Sequence, residues 1–218
     1  MNQDQTKRVL VITAVEAERD AILRGIGSSE RFDVQVGGVG PVAAGVRTAK
    51  AIAAGDYGLV ISAGIGGGFV ERAPVGSLVV ATEILAADLG AETGEGFASV
   101  DELGFGASRV EADAKRAAQV TAALQAAGLT ATSGPVLTLA TVTGTAETAQ
   151  RLAARVPGAA AEAMEGYGVA FAAQDAGLPV LEIRAISNAV GPRDRAAWRM
   201  KDAFDALQAA GAVLVEVL

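Results

Sequence analysis

The sequence contains no cysteine and no histidine. Without cysteine there are no disulfides, no thiolate metal sites and no cysteine nucleophile. Without histidine the commonest metal ligand is gone, and so are the Ser-His and Cys-His mechanisms. Acid–base chemistry then falls to Asp, Glu, Tyr, Lys or hydrogen-bonding amides. Positive charge is also scarce: the formal net charge is −7, which argues against a nucleic-acid partner, because backbone binding needs a basic footprint. No apolar run approaches membrane-spanning length. The start "MNQDQTK" is polar. The run "VLVITAV" after it is short, ends at Glu16 and has no evident signal cleavage site, so it reads as a strand. The expectation is a cytoplasmic protein with neither a membrane nor a nucleic-acid partner.

What is present is a regular alternation. "RVLVIT" is a continuous β-branched run, the pattern of a strand buried on both faces, and "EAERDAILRGIG" follows as a helix closed by glycine. "RFDVQVGGVG" is a strand that breaks at glycines. "PVAAGVRTAKAIAAGD" has the Pro-first, Gly-last asymmetry of a helix. "GLVISAGIGGG" and "SLVVATEILAAD" read as strands, "ADAKRAAQVTAALQAAGL" as an amphipathic helix, "GPVLTLATVT" as a strand and "AETAQRLAARVP" as a helix. "AAAEAM" reads as a short strand, "YGVAFAAQDAGLP" as a helix, "VLEIRAIS" as a strand and "DRAAWRMKDAFDALQAAGAVLVEVL" as a long final helix. The 218 residues suit one domain, 1–218, with a sizeable core. Alternating strands and helices imply right-handed crossovers and an α/β fold, a three-layer α/β/α sandwich around a mixed, mostly parallel twisted sheet. Residues 90–109, "GAETGEGFASVDELGFGASR", read as one long irregular loop. Its Phe97, Leu103 and Phe105 suit a loop that covers a ligand.

Four stretches carry candidate chemistry. "ISAGIGGG" ends a buried strand in glycines, including Gly66, where a ligand can approach the backbone. Its spacing is neither the dinucleotide fingerprint nor the P-loop, and a tight turn alone would also explain it. "ITAVEAERDA" sets Glu16 and Glu18 just past the first strand. There they either favour the helix dipole or supply a general base at the carboxyl end of a strand, where open α/β sheets bind ligands. "EAMEGYGVAFAA" places Glu162 and Glu165 around a strand-to-helix turn, and a carboxylate in so apolar a setting needs a partner. That partner is either the helix N-terminus or a sugar diol. "EIRAISN" buries Arg184, which needs an acidic partner; Glu18 and Glu165 are the candidates.

In combination these motifs resemble the nucleoside phosphorylase/hydrolase superfamily, in particular its hydrolase branch. The resemblance runs through "TAVEAE", "GGVGPVAA", "SAGIGGG", "PVGSLVVAT", "TVTGT", "AMEGYGVAFAA" and "EIRAISN", nearly the whole chain and in order. It implies that Glu18 activates the attacking water and that Met164 and Glu165 form the pair whose Glu holds ribose hydroxyls. Arg184, Ser187 and Asn188 match the "R-x-I-S-D/N" motif, with Asn188 at the N7 edge of the purine. Val142 matches the position whose backbone contacts the base. The partner implied is a small purine nucleoside, with no metal and no organic cofactor, in a homodimer or higher homo-oligomer.

Two departures from the adenine-specific members narrow the substrate. Their Asp is Asn188 here, and a serine in their glycine loop is Ile65. Adenine offers an acceptor at N7 and a donor at its amine, which suits Asp. A 6-oxopurine offers an oxygen instead, and an Asp oxygen facing it would cost about 1–3 kcal/mol in a dry site. The Asn amide donates to O6 and accepts from N7–H as the base leaves, stabilising the departing charge. The resemblance therefore favours a hydrolase of a 6-oxopurine nucleoside whose tail is aromatic and bears a carboxylate. Phe97 and Phe105 would enclose that tail, and Arg109 or another cation would meet the carboxylate. The alternatives are an adenine-releasing nucleosidase, a phosphorylase, and a non-catalytic nucleoside sensor or storage protein.

Overall fold

The computed structural model describes residues 7–218; the first six residues of the polar start lie outside the described residues. Among the described residues ten strands and six α-helices follow the hydrophobic pattern. They are β1 (Arg8–Thr13), α1 (Glu16–Ile26), β2 (Phe32–Val36), α2 (Pro41–Ala54), β3 (Tyr57–Gly68), β4 (Leu78–Ala86), β5 (Gly90–Thr93), β6 (Gly96–Ser99), β7 (Arg109–Glu111), α3 (Ala114–Ala126), β8 (Ala131–Thr138), α4 (Ala146–Arg155), β9 (Ala161–Ala163), α5 (Gly166–Asp175), β10 (Val180–Ala189) and α6 (Met200–Val217). Helix boundaries follow local chemistry. Pro41 opens α2, Asp113 and Thr145 cap α3 and α4 by accepting backbone N–H groups, and Gly27 closes α1 with a positive φ.

The central sheet has the order β10-β4-β8-β9-β3-β1-β2, with β7 on the edge of β4. It is mixed and mostly parallel: β4–β10, β3–β9 and β4–β7 are its antiparallel pairs. β10 also pairs with β3, so strands β3, β10, β4, β8 and β9 close into a ring, a barrel-like closure beyond the open sandwich expected. Helices α1, α3 and α6 cover one face through Ile22, Val120, Leu207 and Leu214. α2 and α5 cover the other through Ala44, Val169 and Ala173. α4 packs Leu152 on a smaller cluster with Phe69, Leu137 and Val190. No helix among the described residues is long and apolar enough to cross a membrane.

Two expectations are corrected. Residues 90–109 do not form an irregular loop: β5 and β6 pair as an antiparallel hairpin, and the remainder is pinned. Asp101 accepts from the Ser108 N–H and hydroxyl, and the Tyr167 hydroxyl donates to the Ala107 carbonyl. The final helix starts at Met200 rather than at Asp194, after a single 3-10 turn over Arg195–Ala197. The Asp194 side chain accepts from the Ala196 N–H and favours that turn.

Candidate active site

The carboxyl ends of β1, β3 and β10 converge with β9 and the start of α5 on a cavity of about 220 Å³. Its lining includes Glu18, Gly66, Val142, Met164, Glu165, Ser187 and Asn188. These residues, all singled out from the sequence, therefore meet in one place, and Ile65 and Glu162 line it with them. Arg184 lies directly behind the wall. Phe97 and Phe105 do not line this cavity. Phe105 is 83% exposed, and Phe97 lies beneath the Arg155 guanidinium, 3.9 Å from its ring centre, in an adjoining space that shares Val142 with the cavity. Arg109, considered for a substrate carboxylate, has its Nη1 within 3.1 Å of both Glu83 oxygens.

Glu18 sits in the first turn of α1 and is 3% exposed. Its Oε2 accepts from the N–H groups of Ala14 (2.8 Å) and Val15 (3.1 Å), and its Oε1 from the Ile65 N–H (2.9 Å). Helix geometry alone would explain the first two contacts; the third crosses from β3 and fixes the carboxylate against the cavity. Burial pushes its pKa above the ordinary 4.5, against the Ile65 hydrogen bond and the nearby Arg184 charge, which lower it. The result is a fixed carboxylate more basic than one in water, as general-base chemistry requires.

Arg184 is the cation that organises the site. It is 1% exposed. Its Nε donates to Glu182 (2.8 Å), its Nη2 to Ser62 (2.9 Å), and its Nη1 to Glu165 (3.4 Å) and the Ile65 carbonyl (3.5 Å). Burial alone would lower its pKa, but the carboxylates of Glu182, Glu165 and Glu18 outweigh this and raise it. Of the two acidic partners expected, Glu165 is in direct contact and Glu18 acts through space. Glu182 was not singled out from the sequence, although the signal was there: residues i and i+2 of a strand share a face, so "EIR" places Glu182 beside Arg184. The other Glu182 oxygen is buried without a hydrogen bond, and burial raises this group's pKa.

Glu165 is the N-cap residue of α5. It accepts from the Gly40 N–H at 3.2 Å and the Met164 N–H at 3.3 Å. These are long contacts, which leave lone pairs for sugar hydroxyls. Asn188 is aimed by a bulge: β10 slips one residue against β3 between Ile186 and Asn188, a common device for redirecting a side chain at a site. The Ser187 hydroxyl donates to Asn188 Oδ1 (2.8 Å), and Asn188 Nδ2 donates to the Ala189 carbonyl (3.0 Å). One N–H and one lone pair of the amide remain for a ligand. The backbone N–H and C=O of Val142 have no hydrogen-bond partner among the described residues, so they too are available. Trp198, read from the sequence as helical, instead closes the cavity from the segment before α6.

The chain belongs to the phosphorylase superfamily, whose family model matches residues 16–218. Within that superfamily it is 50% identical to the futalosine hydrolase of Streptomyces coelicolor, over 96% of each chain. It is 43% identical to the futalosine hydrolase of Acidothermus cellulolyticus, over 92% of this chain and 90% of that one. The fold matches the native futalosine hydrolase of Helicobacter pylori with a TM-score of 0.82 at 18% identity, covering 97% of this chain and 99% of that one. It also matches the 5'-methylthioadenosine/S-adenosylhomocysteine nucleosidase of Neisseria meningitidis in complex with methylthio-immucillin-A, with a TM-score of 0.82 at 20% identity, covering 96% and 99%.

Proposed function

We infer that this protein is a futalosine hydrolase. It would cleave the N-glycosidic bond of futalosine to hypoxanthine and dehypoxanthinyl futalosine, a step of menaquinone biosynthesis. Similarity to the curated futalosine hydrolases supports the substrate. The observation that carries the reaction type is the make-up of the cavity: a fixed, basic Glu18 faces it, and among the described residues no lysine or arginine lines it. A phosphate nucleophile would meet Glu18, Glu162 and Glu165 without a counter-cation. Arg19, next to Glu18 in sequence, is turned to Asp20 at 2.9 Å. Water is the nucleophile this field favours.

In the proposed mechanism Glu18 removes a proton from water as its oxygen attacks C1′. The C1′–N9 bond breaks through an oxocarbenium-like state, as in glycoside hydrolysis. Glu165 holds the ribose hydroxyls by charged hydrogen bonds. Asn188 donates to O6 while charge develops on the purine and accepts from N7–H once solvent has protonated that nitrogen. Arg184 holds the Glu165 carboxylate in place from behind the wall. A homodimer accounts for the apolar face on α2 and α5, where Val42 is 78% exposed and Val46 and Phe171 are each 52% exposed. The deciding experiment is incubation with futalosine, inosine and methylthioadenosine, with and without phosphate, with chromatography of the released base. Hypoxanthine from futalosine at a phosphate-independent rate is expected. Ribose 1-phosphate products would make the protein a phosphorylase, and binding without base release would make it a sensor.

A further inference from the structure

One buried carboxylate in the cavity has no part in the mechanism above. Glu162 is 4% exposed and lies on β9, opposite Gly67 of β3. Its Oε1 accepts from the Thr143 N–H (2.9 Å) and its Oε2 from the Thr143 hydroxyl (2.6 Å). These two neutral donors are its hydrogen-bond partners, and among the described residues no cation lies within ion-pair distance of it. A carboxylate has about four lone-pair positions, and a buried one that is short of donors is costly. Each oxygen has one partner and keeps a further lone pair, and the group lines the cavity, so a further donor is one that a ligand would bring.

Gly67 shows how close Glu162 lies to the purine-reading amide. A methyl group placed on Gly67 would sit 3.3 Å from Asn188 Nδ2 and 3.5 Å from Glu162 Cγ. The two side chains therefore flank the same point of the wall. Val190 Cγ2 lies nearer still, 3.0 Å from that point, so a side chain at residue 67 would crowd this wall, and glycine there lets Glu162 and Asn188 sit side by side on the cavity.

We propose that Glu162 accepts the N1–H of the 6-oxopurine and so forms, with Asn188, a two-point test of the base. This rests on the 6-oxopurine reading above. A 6-oxopurine presents a donor at N1 and an acceptor at O6. Glu162 supplies the acceptor, and the uncommitted N–H of Asn188 supplies the donor. A 6-aminopurine reverses both: its N1 lone pair faces the carboxylate and its amine faces the amide N–H. The desolvation that pushes the Glu162 pKa upward, against the Thr143 contacts, is relieved when N1–H arrives as a further donor. The backbone N–H of Thr143 orients Glu162 rather than meeting the base itself, which leaves the adjacent Val142 backbone for that contact.

The test compares kcat/KM for futalosine and for its 6-amino analogue in the wild type and in Glu162→Gln, so that the tail is constant and only the purine edge varies. The futalosine preference should fall about ten- to hundredfold, the range for a hydrogen bond to a charged group. A preference within about twofold of wild type, with both substrates slowed equally, would mean that Glu162 only braces Thr143, and would overturn the proposal. A second measurement does not depend on the variant folding. Hypoxanthine labelled with ¹⁵N at N1 is bound to the wild-type protein, and its N1 proton should move downfield of the free base and exchange slowly. An N1 proton at the free-base position overturns the proposal. A wild-type protein that releases no hypoxanthine from futalosine overturns the functional reading instead, and the bound-base spectrum still decides the role of Glu162.

Discussion

Gly64→Ala tests whether the proposed general base, Glu18, is held where the mechanism needs it. No positive φ is required at Gly64, so alanine suits the strand backbone and the whole effect is steric. The added Cβ would lie 2.6 Å from Glu18 Oε1, 3.0 Å from Glu18 Cδ and 2.8 Å from Arg184 Nη1. Ordinary contact starts at 3.4 Å, so the carboxylate must retreat by about 0.8 Å. It is not the free end of a flexible side chain: three backbone N–H groups hold it, and Arg184 is held by four acceptors. Retreat costs Glu18 its Ile65 hydrogen bond or displaces Arg184 from Glu165. Overpacking of this kind costs about 2–3 kcal/mol, or roughly 5–10 °C in Tm for a chain of this length. A displacement approaching 1 Å at the reacting groups costs about a hundredfold in kcat. The assay is hypoxanthine release under single-turnover conditions, with thermal unfolding followed by circular dichroism. Gly94→Ala is the control, because nothing lies within 4 Å of a methyl group there. If Gly64→Ala keeps kcat and Tm close to those of the control, Glu18 is not fixed against β3, and its assignment as the base loses its geometric support.

Glu18→Gln should lose about a hundredfold or more in kcat while still binding substrate, as a titration with unreacted futalosine would show. The Glu18 pKa is raised in the folded state. Between the ordinary 4.5 and the raised value, the folded protein therefore holds a proton that the unfolded chain has released. Stability must fall as pH rises through that window, and Glu18→Gln should remove this component of the slope in urea titrations at a series of pH values. The acid limb of the kcat/KM profile should lie above the ordinary carboxylate range for the same reason. Asn188→Asp should lower the inosine-to-adenosine cleavage ratio at nearly unchanged side-chain volume, by about tenfold if one buried hydrogen bond is inverted; an unchanged ratio means that Asn188 does not read the base. Val46→Glu on the exposed face of α2 should shift the protein from dimer to monomer in light scattering, and a protein already monomeric as wild type refutes the proposed interface.

Much of the site was legible because strand ends are. Glu18, Glu165, Ser187 and Asn188 each follow an apolar run at a fixed offset, and the fold carries such offsets to one end of its sheet. An acidic partner for Arg184, Glu18 or Glu165, could be expected in advance because a buried cation must have a carboxylate. What the sequence did not reveal depends on contacts between distant segments. The Glu162–Thr143 pair joins β9 to the segment after β8, and no local pattern records it. The barrel-like closure depends on β10 pairing with both β3 and β4, whereas a hydrophobic run identifies a strand without naming its neighbours. The hairpin at β5–β6 was hidden because polar, glycine-rich residues suit a two-stranded ribbon as well as a loop. Phe97 and Phe105 were grouped by their apolar character alone, yet one lies under Arg155 and the other faces solvent.

The distribution of charge links these observations to the choice of nucleophile. The buried Arg184 guanidinium binds Glu182 and Glu165 and reaches Glu18 through space. Its positive charge is used within the protein, and its donors point at the wall rather than into the cavity. The cavity itself shows the substrate Glu18, Glu162 and Glu165. That field favours positive charge at the ribose, which is what an oxocarbenium-like state develops, and it opposes a phosphate dianion. The arrangement that would hold the proposed base and ribose contact in place is thus also one that opposes phosphorolysis. An arginine turned outward would weaken both effects at once, because the carboxylates would lose their partner while the cavity gained a site for phosphate.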